Sequence, residues 1–526
     1  IETIRECDYL DGDPRLTLGL TPVLLEQLSH EDFKSGFERY LSDRRERALS
    51  DRAGFERGGE SHMAALARMW ADLFERRAAQ FAEMGRDLPQ AFAALAGDGL
   101  IEILTSCATH AYTPLLLEDS SIHAQIRAGV ATSERILGFR PRGVWLPECA
   151  YRPFGPWHAP IEWGGARIRH GTEYFLDSEG LTHFFVESAL VQESRSECVD
   201  NGQWFRVDWE EAIKYPERGW RSVLDPVRVC GDGGARSRVV ALARDSAICE
   251  AVWSGDIGYP AEGAYLEFHK RHGERRGHKY WKVTDRKSDL GKKEPYSPED
   301  VEGKIHEHAS HFCDRVRRRL WDYKNRTGRH GVVVASFDAE LFGHWWFEGP
   351  RFLRDVLLSM NADTDIEVRT PGEHLSEYPP DKGVTLPEGS WGDGGDHRVW
   401  VNDRISWMWQ MEYRCEATFG KLSYQLPWRD RRDLRDILEK AGRELLLLQA
   451  SDWPFMISRG QAVDYGIMRF TEHAKRFERL ADVAERLSED IDYVNNMPEV
   501  RKFEIMDAEI HDVIFPSIDL DWWNTK

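Results

Sequence analysis

The chain has 526 residues and a net charge of −20, which is too long for one simple domain and too acidic to gather DNA, RNA or an anionic membrane surface. Its apolar fraction of 41 % is enough for a substantial core, yet no apolar run approaches the roughly 18 residues of a membrane span. A neutral partner remains open, and the 20 Trp residues are either core or flat faces for sugar rings.

In chain order, Leu16-Thr17-Leu18-Gly19-Leu20 is a short β-prone run closed by Thr21-Pro22. From Pro22 to about Ala96 the apolar residues recur at three- and four-residue steps, as in Met63, Leu66, Ala67, Trp70 and Phe74. This predicts a helical excursion on a larger body. Leu100–Leu104 reads as a strand, Ile122–Leu137 as a helix, and Gly143–Leu146 and His183–Glu187 as strands. Ala251-Val252-Trp253 and Gly331–Phe337 read as further strands, the last preceded by a helix from about Pro298 to Tyr323. Strands alternating with helices over this length predict an α/β fold with a parallel sheet, closed as a barrel. Between Gln192 and Ala247 no period is visible, which suggests an irregular loop insertion. Lys270–Lys293 is strongly basic and reads as a solvated loop. Beyond Asp381 a Gly-rich stretch gives way to helices, clearest over Asp433–Ala450 and Arg469–Leu487.

The eight cysteines, Cys7, Cys107, Cys149, Cys198, Cys230, Cys249, Cys313 and Cys415, form no CxxC pair. They read as free thiols of a cytoplasmic protein.

In a parallel barrel the chemistry sits at the C-terminal ends of strands. Two strands here end in acidic residues amid aromatics: Trp145-Leu146-Pro147-Glu148 and Ser336-Phe337-Asp338-Ala339-Glu340. Cleavage of a glycosidic bond with retention needs two carboxyl groups about 5–5.5 Å apart, one ionised and one protonated. Either carboxylate alone serves equally well as a helix cap or a loop support. Together they suit a cleavage pair. His110 and His344 lack spacings such as HExxH, which favours hydrogen bonds to sugar hydroxyls or carboxylates over a metal. His306, His308 and His311 fit a surface helix better than a zinc site.

Gly143-Val144-Trp145-Leu146-Pro147-Glu148 and Phe337-Asp338-Ala339-Glu340-Leu341-Phe342-Gly343-His344-Trp345-Trp346 resemble two signature regions of glycoside hydrolase family 57. Within that family the likeness is to the 1,4-α-glucan branching enzymes. Ala108–Pro114 and Ala450-Ser451-Asp452-Trp453-Pro454-Phe455 are similar to two further regions. The resemblance implies a (β/α)7 barrel over 1–45 and 100–380, with the loop insertion at 192–247. It also implies a helical insertion at 46–99 and an α-helical C-terminal domain at 381–526. It makes Glu148 the nucleophile and Asp338 the general acid/base. It places His110, Trp253, Trp391 and Trp400 on the glucan, and Asp452 and Trp453 in the cleft wall. Tyr215 is nearest to the Tyr with which the family shields its intermediate. No metal or cofactor is implied.

The expected partner is an α-glucan such as amylose or a glycogen-like polysaccharide, handled by a monomer or homodimer. The expected reaction is α-1,4 cleavage with transfer to a 6-hydroxyl. The alternatives are an α-amylase, a 4-α-glucanotransferase or an inactive glucan-binding protein; a metal-dependent deacetylase would want an Asp/His/His set that the sequence does not offer. The family opens with a His-x-His-x-Pro strand that this sequence lacks, so a strand ahead of Ile1 is expected in the whole protein.

Overall fold

The computed structural model describes residues 1–10, 12–199, 221–231, 236–255, 257–273, 276–380, 382–498 and 514–523. Tyr215 lies outside the described residues. The chain divides into two compact units: Ile1–Thr17 with Leu28–Glu102 and Arg244–Thr370, and Leu18–Gln27 with Ile103–Ala243 and Pro371–Lys526.

In the first unit the helical excursion is a pair of long helices, Glu31–Arg57 and Ser61–Glu83, packed on each other. Met63, Ala67 and Trp70 bury one face of the second helix by their three- and four-residue spacing. The Trp70 indole N–H donates to the Lys279 carbonyl at 2.7 Å, so its polar edge is satisfied inside the core. Helices Glu302–Thr327 and Gly349–Asn361 belong to the same unit, with Ile305, Phe312, Phe352 and Val356 buried in the same cluster.

Three expectations fail here. Ala251-Val252-Trp253 is the last turn of a helix, Ser246–Trp253, not a strand. A three-residue apolar run cannot tell the two apart, and the Asp245 side chain decides by accepting from the Ile248 N–H and capping the helix. Gly331–Phe337 is extended chain with one bridge, Val334 to Arg244, rather than a full strand. The basic segment Lys270–Lys293 is not simply solvated. It buries His278 and Tyr280, and its Lys293 pairs with buried Glu267 at 3.2 Å. Burial, reinforced by the Arg44 guanidinium, pushes the His278 imidazole down to about 4.

The second unit holds a six-stranded sheet. Its spatial order is Gly143–Val144, His183–Val186, Arg236–Ala243, Val227–Cys230, Lys382–Thr385, Arg195–Val199. The first three run parallel. Val227–Cys230 is antiparallel to Arg236–Ala243 and parallel to Lys382–Thr385, and Arg195–Val199 is antiparallel to Lys382–Thr385. Half of these strands come from the stretch expected to be an irregular loop. The run Val239–Ala243 is buried throughout, as a strand covered on both faces must be, and flanking charges hide it from a search for alternation. The described sheets are this one and two two-stranded pairs, not a closed barrel of seven strands.

Close backbone approaches fix the layer beside the sheet. Helix Asp119–Leu137 lies so near the Ser106 carbonyl that a Cβ on Gly129 would stand 2.1 Å from it. Three long helices, Ser406–Gln425, Arg432–Leu448 and Val463–Glu489, share a second core through Leu434, Leu438, Ala441, Leu445, Phe470 and Phe477. The fold is therefore mixed α/β with a helical C-terminal region. The thiols of Cys7, Cys107, Cys149, Cys249, Cys313 and Cys415 are free and buried, but Cys230 is disulfide-bonded. The expectation of free thiols throughout fails at Cys230. No helix among the described residues is long and apolar enough to cross a membrane.

Candidate active site

Glu148 follows the strand Gly143–Val144 on a single 3-10 turn, Pro147–Cys149. Its φ is 60° and that of Cys149 is 50°, both in the left-handed region. Such a conformation costs a non-glycine residue about 1–3 kcal/mol, so the surroundings must impose it. They do so by a zip of backbone bonds. Tyr151 and Gly389 exchange N–H···O bonds of 2.9 and 3.1 Å, and the Trp391 N–H donates to the Glu148 carbonyl at 3.0 Å. The Trp391 indole N–H then donates to Glu148 Oε2 at 2.5 Å. The Trp145 ring packs edge-on against Trp391 at 5.1 Å. The result is a half-buried carboxylate with one oxygen held and the other unclaimed by so short a bond.

His110 stands on the same side of this unit. Its Nδ1 is 4.0 Å from Glu148 Oε1 and 2.9 Å from Ser451 Oγ, and its φ is 58°. Ala111 bridges Ala450 antiparallel, so the chain ahead of the last helices is stitched to the segment carrying His110. Next to it Tyr112 bonds His397 Nδ1 at 2.8 Å, and His397 Nε2 lies 2.9 Å from Glu388. Burial pushes the Tyr112 phenol well up, which keeps it a neutral hydrogen-bonding group.

Trp400 is not an open platform. It is 1 % exposed and stacks on Tyr112 at 4.4 Å, so its ring is covered by protein. Trp453 is half-buried, with its indole N–H given to the Leu447 carbonyl at 2.9 Å, while Asp452 is exposed in the first turn of helix Asp452–Arg459.

In the first unit Asp338 is exposed and precedes another 3-10 turn, Ala339–Leu341. The following loop turns at Gly343, whose φ of 107° no other residue adopts without strain. It presents His344 and a 46 % exposed Trp345. Trp345 stacks on Phe268 at 4.3 Å and donates its indole N–H to Glu340 at 2.8 Å. Trp253, at the end of its helix, is 48 % exposed and so offers a face. His308 and His311 are hydrogen-bonded to Tyr265 and Tyr259, each at 2.8 Å, which gives both rings a role in the fold.

The sequence reading missed Trp145, Ser451 and the Phe268–Trp345 stack. Trp145, Ser451 and Trp345 all stand inside the motifs that suggested the site, beside the acidic and histidine residues that drew attention. Phe268 had no local signal.

The model of glycosyl hydrolase family 57 matches residues 24–387. The chain belongs to glycosyl hydrolase family 57. A second model, that of the 1,4-alpha-glucan branching enzyme C-terminal region, matches residues 413–523. This family 57 chain is 38 % identical over 469 residues to the 1,4-alpha-glucan branching enzyme TK1436 of Thermococcus kodakarensis. That alignment covers 89 % of the chain and 66 % of the relative. In structure it is similar to the family 57 branching enzyme from Pyrococcus horikoshii, with a TM-score of 0.86 and 34 % identity over 100 % of this chain and 90 % of that one. It is also similar to the α-amylase AmyC from Thermotoga maritima, with a TM-score of 0.81 and 26 % identity over 99 % and 92 % of the two chains.

Proposed function

We infer that the chain is a 1,4-α-glucan branching enzyme working by retaining double displacement, with Glu148 as nucleophile and Asp338 as acid/base. The observation that carries this is Glu148 itself. It is a half-buried carboxylate held in a left-handed turn, with Trp391 on one oxygen and His110 Nδ1 4.0 Å from the other. In the first step Glu148 attacks the anomeric carbon while Asp338 gives its proton to the departing glycosidic oxygen. A β-glucosyl ester forms and the chain with the new free end leaves. In the second step Asp338 takes the proton of a 6-hydroxyl, whose oxygen displaces Glu148 and forms an α-1,6 branch. Trp253 and Trp391 supply faces for the glucan, His110 and His344 hydrogen bonds to it, and Asp452 and Trp453 part of the cleft wall.

The parallel run through Thr105, Val144, His183–Val186 and Val240–Ala243, with the Arg244–Val334 bridge, supports the (β/α)7 barrel that would bring strand ends together. The six buried free thiols support a reducing, cytoplasmic setting, with the Cys230 disulfide as the exception.

Transfer rather than hydrolysis rests on the match of residues 413–523 to the branching-enzyme C-terminal model. The likeness to AmyC favours water as the acceptor instead. Incubation with amylose decides between them. New α-1,6 linkages, counted after debranching, should far outnumber new reducing ends. Reducing ends without branches would make the protein an amylase, and neither product would defeat both readings.

A further inference from the structure

Ser451 stands at the N-cap position of helix Asp452–Arg459, where a serine hydroxyl ordinarily accepts a backbone N–H of the first turn. Here it makes no such bond. The hydroxyl is turned to His110 Nδ1 instead, at 2.9 Å. The backbone makes the placement firm. The Ser451 N–H donates to the His110 carbonyl at 3.2 Å, and Ala450 bridges Ala111. On the far side of Ser451, the Phe455 N–H donates to its carbonyl at 3.2 Å, tying it into the helix it precedes.

We propose that Ser451 is a positioning residue that fixes the tautomer of His110 and thereby keeps Glu148 free to attack. This deepens the proposed function and rests on it. Ser451 is 1 % exposed, and His110 Nδ1 is the one hydrogen-bond partner of its hydroxyl among the described residues. Were the hydroxyl the acceptor, its own proton would be buried without a partner, the costlier arrangement. It therefore donates, Nδ1 accepts, and the ring proton sits on Nε2. Two consequences follow. The Nε2–H becomes a donor for a sugar oxygen. Nδ1, already occupied, has no proton to give Glu148 Oε1 at 4.0 Å. A His110 with the proton on Nδ1 could instead bond that oxygen and blunt the nucleophile. The helical C-terminal region thus sets the protonation pattern beside Glu148 as well as forming part of the wall.

The test compares Ser451→Ala and Ser451→Thr with the wild type on amylose, and reads the His110 tautomer by 15N NMR of histidine-labelled protein, assigned with His110→Asn. The wild-type ring should carry its proton on Nε2. Ser451→Ala should lower kcat about 10- to 100-fold, with KM changed less than about 2-fold, and shift the ring toward Nδ1–H. Ser451→Thr, which keeps the hydroxyl, should recover most of the rate. A wild-type ring protonated on Nδ1, an unimpaired Ser451→Ala, or a folded Ser451→Thr as slow as the Ala variant would each overturn the proposal. The wild-type tautomer is readable even if Ser451→Ala fails to fold. A wild type inactive on amylose would defeat the proposed function while leaving the tautomer measurement standing.

Discussion

Glu148 and Asp338 follow short extended segments and each meets a 3-10 turn, yet the two regions are built in opposite ways. Around Glu148 the backbone is strained at three non-glycine residues, His110, Glu148 and Cys149, and is held by paired backbone bonds to Gly389 and Trp391. Around Asp338 the side chains of Asp338, Ala339 and Glu340 are exposed, and the loop relies on Gly343 for its positive φ. The difference matches the two jobs proposed. A nucleophile must stay ionised at one place, so stored strain and a fixed donor suit it. An acid/base must exchange protons with leaving group and acceptor in turn, so access matters more than rigidity.

The sharpest way to break this comparison is to remove each carboxylate. Glu148→Gln should lower both transfer and hydrolysis by on the order of 10⁴-fold or more with amylose still bound. Asp338→Asn should cost about 10²–10⁴-fold on amylose and far less in the first-turnover burst of phenol from a nitrophenyl glucoside, whose leaving group needs no proton, while the second step stays slow. Equal losses on both substrates would dissolve the distinction between the two regions.

Next comes Trp391→Phe, which keeps the ring and deletes the N–H on Glu148 Oε2. Loss of a hydrogen bond to a charged group, about 1.5–3 kcal/mol, predicts a fall in kcat of about 10- to 100-fold. Single-turnover rates with the variant measure it, and an unchanged rate would mean the left-handed turn suffices alone.

Two glycines then contrast the regions by stability. Gly129→Ala drives a Cβ into the Ser106 carbonyl and should destabilise the fold by about 1–3 kcal/mol in chemical denaturation. Gly343→Ala makes only ordinary contact with the Pro350 ring at 3.5 Å but must adopt an unfavourable φ of 107°, so its loss of stability, about 1–3 kcal/mol, comes from backbone strain alone, and turnover should slow with it.

The smallest effect concerns two buried carboxyls on helix Ser406–Gln425. Burial raises both Glu412 and Glu416, the latter from 4.5 to about 7, although Glu416 accepts from the Leu117 and Glu118 N–H groups. The folded state then binds more protons than the unfolded chain between those two values. The stability this group contributes is complete below 4.5 and is lost as pH rises toward about 7. The melting temperature should fall across that window, and Glu416→Gln should flatten the slope. A wild-type profile rising over the same range would contradict the assignment.

The strongly periodic helices were legible from sequence, as were the two acidic motifs, because 3.6-residue patterning and local chemistry are written in neighbouring residues. Arg236–Ala243 was hidden by flanking charges, and the helix at Trp253 by a run too short to carry a period. Trp400 could not be told from an exposed platform, since one indole in a Gly-rich stretch looks like another until Tyr112 covers it. Ser451 was visible inside its motif, but nothing local says that it faces a histidine 341 positions away.

The linear chain by itself determined the family, the candidate carboxylates and the long helices, because these depend on residues near each other. Only the tertiary structure decided which indole meets Glu148, which serine meets His110 and which aromatic is covered. Those pairings arise from backbone segments distant in sequence and zipped together by hydrogen bonds, and their geometry exists only after the chain has paid the entropy of bringing them into contact.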